Sequence, residues 1–124
     1  MSTFTELLYR ELSLTVGAEA VIFDSIPEAT DKGDISDLRY MISYTIYLKN
    51  TDGVNSVDVK VEVSPETISP LWIEENAYQT IIAGSTLVIS GTTKDILALR
   101  VTAKETVASN PGILDAYIVY KQRR

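Results

Sequence analysis

Val57, Val59, Val61 and Val63 stand at alternate positions, with Asp58, Lys60 and Glu62 between them. Period-2 alternation suits a β-strand, because successive side chains point to opposite faces of a sheet. A helix turns about 100° per residue and would scatter the same valines around its circumference. The run before it, residues 40–49, is β-branched and aromatic, with Tyr40, Ile42, Tyr44, Ile46 and Leu48 on one face. Between the two lies Asn50-Thr51-Asp52-Gly53, which tolerates left-handed backbone angles and predicts a turn. The expectation is a long β-hairpin at the centre of an all-β domain.

The rest of the chain repeats this grammar. Residues 19–26 read as a strand, with Val21 and Phe23 on one side and Ala20 and Ile22 on the other, and Pro27 ends it. Residues 28–37 read as a polar loop. Pro65 and Pro70 interrupt ladder pairing, since neither has an amide donor. Short strands are expected at 71–74, which holds the only tryptophan, Trp72, at 78–82 and at 86–90. Residues 96–104 alternate again, with Leu97, Leu99, Val101 and Ala103 against Arg100, Thr102 and Lys104. Asn110-Pro111-Gly112 is a strong turn signal. In the last strand, 113–122, Leu114, Ala116, Ile118 and Tyr120 share a face, and Tyr117 and Val119 make the opposite one partly apolar.

Eight or nine short strands separated by turns predict a two-sheet antiparallel β-sandwich, of jelly-roll or immunoglobulin-like type. The first 16 residues are read apart. Thr3-Phe4-Thr5-Glu6 fits a helix capping box. The alternation of Leu8, Arg10, Leu12, Leu14 and Val16 favours an extended arm over 7–16 instead. Gly17-Ala18 then breaks the run. The division expected is an N-terminal arm or connector, 1–16, and a sandwich domain, 17–124.

A chain of 124 residues that is 45% hydrophobic suffices for one buried core. Its net charge of −6 argues against nucleic acid and against an anionic membrane surface as partners. The charge is uneven. Glu6, Glu11, Glu19, Asp24, Glu28 and Asp31 outweigh Arg10 at the start, whereas the chain ends Lys121-Gln122-Arg123-Arg124; ordinary solvated ends are the weightier reading, and attraction between opposite ends of neighbouring copies is the alternative. The first residues lack the basic and apolar regions of a secretory leader, so none is expected. No run is long and apolar enough for a membrane-spanning helix.

With no cysteine and no histidine, disulfides, thiolate nucleophiles, imidazole-based triads and Cys/His zinc sites are excluded. The glycines are isolated, unlike those of a phosphate-binding loop. Glu74 and Glu75 beside Trp72 are the best carboxylate pair for acid–base chemistry, but an acidic pair on a strand is ordinarily solvated. Asp31, Asp34 and Asp37 lack the spacing of a calcium loop. An isopeptide crosslink needs a lysine, an Asn or Asp and a buried carboxylate together, which sequence alone does not show. The expectation is therefore no enzymatic activity, no catalytic residue, no metal and no cofactor. Trp72, Tyr78 and Tyr117 are the candidate interface or ligand surface, with surface glycans as the ligand class; the weightier reading of a lone tryptophan is core or interface.

Several segments resemble a family of short β-sandwich domains of unknown function from spore-forming Gram-positive bacteria. They are Asp34-Ile35-Ser36-Asp37-Leu38, Tyr44-Thr45-Ile46-Tyr47-Leu48-Lys49-Asn50 and Val61-Glu62-Val63-Ser64-Pro65-Glu66, then Trp72, Ile82-Ala83-Gly84-Ser85, Leu99-Arg100-Val101-Thr102-Ala103 and residues 114–122. The organisation is also similar to that of bacterial endospore appendage subunits, jelly-roll domains with an N-terminal connecting arm. The resemblance implies a homopolymer on the spore surface, built by strand augmentation and by inserting the arm into a neighbour. Several such subunits crosslink through cysteines in the arm; this chain has none.

Two functions follow as expectations. The first is a self-assembling structural subunit whose only partner is itself, with Leu8, Leu12, Leu14 and Val16 as the apolar row of a donated arm. Removing residues 1–16 should then leave a folded monomer that cannot polymerise. The alternative is a carbohydrate-binding module or a phage virion part, such as a decoration, neck or tail protein. A third arrangement, in which the arm folds back as the first strand of its own sandwich, competes with strand donation.

Overall fold

A computed structural model describes residues 2–24, 41–65, 71–92 and 98–122. Among them are eight strands: β1 (Ser2–Ser13), β2 (Ala20–Asp24), β3 (Met41–Asn50), β4 (Val57–Ser64), β5 (Ile73–Ile81), β6 (Thr86–Thr92), β7 (Ala98–Glu105) and β8 (Ile113–Gln122). They form two four-stranded sheets, in the orders β1-β8-β3-β6 and β2-β7-β4-β5. All pairings are antiparallel.

The strand order decides between the two expected sandwiches. Six of the seven connections pass from one sheet to the other; only β4 to β5 joins neighbours within a sheet. An immunoglobulin sandwich keeps several hairpins within a sheet. Two four-stranded sheets with this crossing pattern are a jelly roll.

The expected central hairpin is not there. β3 and β4 are long strands with the predicted inward faces, but they lie in different sheets. Tyr44, Ile46 and Leu48 on β3 face Val57, Val59 and Val61 on β4 across the core, all at most 5% exposed. Each has a buried face, so each is better covered by the opposite sheet than by lying edge to edge. Asn50 to Asp52 therefore turn a corner between layers.

Other expectations shift at bulges. Residues 71–74 and 78–82 were expected as two strands; Ile73–Ile81 is one, and it absorbs two register irregularities against β4, between Val59 and Val61 and between Val61 and Glu62. On β2, a register shift between Val21 and Phe23 buries both Ile22 and Phe23 and leaves Val21 exposed. Such extra residues reverse the in–out parity that a periodic reading assumes. β8 keeps its parity, with Leu114, Ala116, Ile118 and Tyr120 buried.

Candidate assembly surfaces

Among the described strands the order leaves four edges, β1 and β6 on one sheet and β2 and β5 on the other. An edge strand carries unpaired N–H and C=O groups, and proteins blunt it with charge, proline or bulges. Among the described residues three edges are blunted. β1 contains Glu6, Arg10 and Glu11, has register shifts between Leu7 and Tyr9 and between Tyr9 and Leu12, and holds Glu11 at φ 53°. β2 is five residues long, is bulged and ends in Asp24. β5 is bulged and carries Glu74 and Glu75.

β6 is different. Thr86-Leu87-Val88-Ile89-Ser90-Gly91-Thr92 contains no charge and no proline, and its ladder to β3 is regular from Thr86 to Thr92. The Asn50 amide donates to the Ser85 carbonyl at 2.9 Å, which fixes the phase of that ladder. By antiparallel alternation the backbone groups of Leu87 and Ile89 then face β3, and those of Val88 and Ser90 face outward. The inward side chain Ile89 is buried, while Val88 is 51% exposed.

The N-terminal segment is not a free arm in this chain. It runs as an edge strand along β8, from Ser2 opposite Gln122 to Ser13 opposite Ile113. That is the fold-back arrangement, and the strand begins and ends earlier than the expected 7–16. Leu8 and Leu14 are 2% and 6% exposed within the chain's own core, Leu12 packs against it, and Val16 is 55% exposed beyond the strand. Leu8, Leu12 and Leu14 keep a common inward side across the bulge at Glu11, whose N–H donates to Asp115 Oδ1 at 2.7 Å. Whether the segment is exchanged between copies is a property of the assembly.

The three aromatic candidates do not form one surface. Tyr117 lies on β8, where Arg10 Nη2 donates to its hydroxyl at 3.4 Å. Tyr78 lies on β5 of the other sheet, and Trp72 just before that strand. The Arg100 guanidinium lies over the Trp72 ring at 4.3 Å, and its Nε and Nη2 donate to Glu62 Oε1 at 3.2 and 3.0 Å. Lys60 and Lys104 stack on Tyr78 at 4.7 and 4.3 Å. Rings engaged by cations in this way fasten the outer layer of the sheet.

Burial pushes the Tyr78 hydroxyl above its ordinary pKa; the Glu19 carboxylate works in the same direction and Lys60 opposes. Burial pulls the Lys60 ammonium down, but its hydrogen bond to Glu74 carries it above its usual value. Among the described residues, the hydroxyls of Tyr78 and Thr102 and Glu105 Oε2 are buried without a well-formed hydrogen bond.

The remaining chemistry is thin. Among the described residues no group of three metal-binding side chains converges. The Asp31, Asp34 and Asp37 loop lies outside the described residues. Glu74 pairs with Lys60 at 3.3 Å, and Glu74 and Glu75 are both exposed. The buried Asn50 side chain is engaged by backbone groups.

No family model matches the chain. No curated protein matches it either. Solved structures do share its fold. A Bacillus endospore appendage pilin, described as one of a family of disulfide-linked pili, aligns at 15% identity and TM-score 0.49, covering 98% of this chain and 89% of that one. The tobacco streak virus coat protein dimer gives 7% identity and TM-score 0.54, with 98% and 84% covered. An infectious bursal disease virus protein gives 11% identity and TM-score 0.51; this chain is 98% covered but spans only 32% of that one. The two viral alignments, with TM-scores above 0.5, establish the fold alone, a β-sandwich of jelly-roll type.

Proposed function

We infer that the chain is a structural subunit that assembles with copies of itself into a fibre or appendage, by β-strand augmentation combined with exchange of the N-terminal segment. One observation carries this reading: β6 is a regular, uncharged, proline-free edge with outward-facing backbone groups at Val88 and Ser90. Such an edge in a free chain is a template for another strand. The other three edges carry the protections that β6 lacks.

Segment exchange uses the β1–β8 ladder already present. A neighbour's β1 would make the same register and fill the same core positions as Leu8 and Leu14, which is the economy of domain swapping. The connection through Gly17, at φ 73°, is the hinge such an exchange needs. Placement on the spore surface rests on the sequence resemblance given above. Pilus and coat proteins of this fold support a structural role over an enzymatic one.

The test is electron microscopy of concentrated full-length protein beside Ser90→Pro. Proline at an outward-facing position spares the β3 ladder but removes a donor from the edge and adds bulk there. Filaments in the parent and none in a Ser90→Pro protein of unchanged melting temperature are expected. Filaments of equal length in both would dismiss β6 as the joining edge, and a parent that stays monomeric would dismiss polymerisation itself. Immunogold labelling of spores decides the location.

A further inference from the structure

The outer face of the sheet β1-β8-β3-β6 has an organisation that edge pairing does not use. Its side chains stand in rows across the strands. One row is bulky: Leu7, Tyr117, Tyr47 and Val88 are successive cross-strand partners. Leu7 and Tyr47 are each 41% exposed and Val88 51%, so this row faces outward. The next row is small: Thr5, Val119, Thr45 and Ser90 are likewise partners, and Thr45 and Ser90 share a hydrogen bond of 3.1 Å. Outside the small row stands Lys121, paired with Thr3 and Ser43. Outside the bulky row stands Asp115, paired with Lys49 and holding the Glu11 amide.

We propose that this face binds the same face of a second copy, about a two-fold axis that runs along the rows between Tyr117 and Val119. Rotation about that axis keeps each strand over its own counterpart and reverses the rows. Tyr117 then lies over the partner copy's small row at Val119, Tyr47 over Thr45, Leu7 over Thr5 and Val88 over Ser90. In every column a larger side chain meets a smaller one, which is the interdigitation that face-to-face sheets require. The same rotation sets Lys121 opposite Asp115, twice. An axis along the strands instead sets bulky row on bulky row and loses both matches.

The size of the face fixes the strength. Four strands about 4.8 Å apart and four rows about 7 Å apart span on the order of 500 Å². A standard interface buries about 800 Å² per partner. The pairing is therefore a weak, closed dimer, with Kd of ~10⁻⁴ M or weaker for isolated copies. In a polymer joined at β6 many such contacts act together and bundle one strand of subunits against another. The contact does not depend on the edge, because two-fold pairing of faces cannot propagate by itself.

Sedimentation equilibrium separates the two. In full-length Thr86→Pro, which alters β6 at another outward-facing backbone position and lies outside both rows, a reversible dimer and no larger species is expected up to millimolar concentration (~1 mM). Tyr47→Lys on that background should weaken it about tenfold or more, and Lys121→Glu several-fold, with the latter effect shrinking at high salt. Both side chains are exposed, so unchanged melting temperatures should accompany the losses. A protein that stays monomeric over that range would overturn the proposal, whichever other molecule covers the face. So would a dimer whose Kd neither substitution moves. Filaments in the parent with no dimer in Thr86→Pro would leave edge assembly standing and remove only the face contact.

Discussion

The Asn50 side-chain amide, at the end of β3 in one sheet, donates to the carbonyl of Ile81, at the end of β5 in the other, at 3.0 Å. Asn50 is fully buried and has every polar group used. Nδ2 also reaches Asn55 O at 2.8 Å, Oδ1 accepts the Asp52 amide at 3.0 Å, and its backbone bonds to Ser85 and Gly84. Nearby, Asn55 Nδ2 donates to Pro111 O at 3.1 Å. One polar corner thus ties together the β3–β4, β5–β6 and β7–β8 connections. Gly112 completes it, because a Cβ there would run into the Val57 side chain.

Asn50→Ala should destabilise the chain by about 2–3 kcal/mol, because it leaves buried carbonyls and an amide without partners. Asn50→Asp, which replaces two donors with acceptor oxygens beside the Asn55 and Ile81 carbonyls, should cost more. Urea unfolding of the three proteins checks the order.

Asp52 makes the corner sensitive to acid. Its Oδ1 accepts the Val54 and Asn55 amides at 2.7 and 2.8 Å, and these bonds, Asn55 first, hold the carboxyl below its ordinary pKa. A depressed folded pKa stabilises the fold above the unfolded value, near 3.9, and that contribution disappears as pH falls through the lower folded value. Asp52→Ala should therefore lose stability at pH 7 and show a shallower decline below about pH 4 than the parent. Equal slopes in denaturant midpoints between pH 6 and pH 2 would contradict this assignment.

Glu62 is 7% exposed and is paired with Arg100. Removing the guanidinium strands a nearly buried carboxylate, whereas neutralising the carboxylate does not. Arg100→Ala should cost about 3 kcal/mol and Glu62→Gln clearly less. Trp72 fluorescence, which reports the ring under Arg100, should shift in Arg100→Ala in the native state.

Deletion of residues 1–13 is expected to do more than block polymerisation. It removes Leu8 from the core and bares β8 along its length. One buried leucine alone is worth about 2–5 kcal/mol. The truncated chain should aggregate or unfold at ambient temperature, and a synthetic peptide of residues 2–13 should restore its melting transition. A stable truncated monomer would show that β1 adds little to the core.

Alternation alone determined that the protein is all-β, where most strands lie and which faces of β3 and β8 turn inward, because the two-residue repeat of a half-buried strand is a local property. The same rule misjudged the faces of β2 and the extent of β1 and β5. One extra residue in Val21–Phe23 puts Ile22 and Phe23 both inside, the shifts in β5 join two expected strands into one, and only the partner strand shows where such residues go. Sequence also named Asn50 to Gly53 as a turn but joined its strands in one sheet, because corner and hairpin share the same turn chemistry; the choice between them lies in what covers each apolar face. The aromatic candidates were scattered for a like reason. Tyr117 and Trp72 fall on opposite outer faces through the order of the strands, and the free edge of β6 exists only because β3 has already taken β8 on its other side.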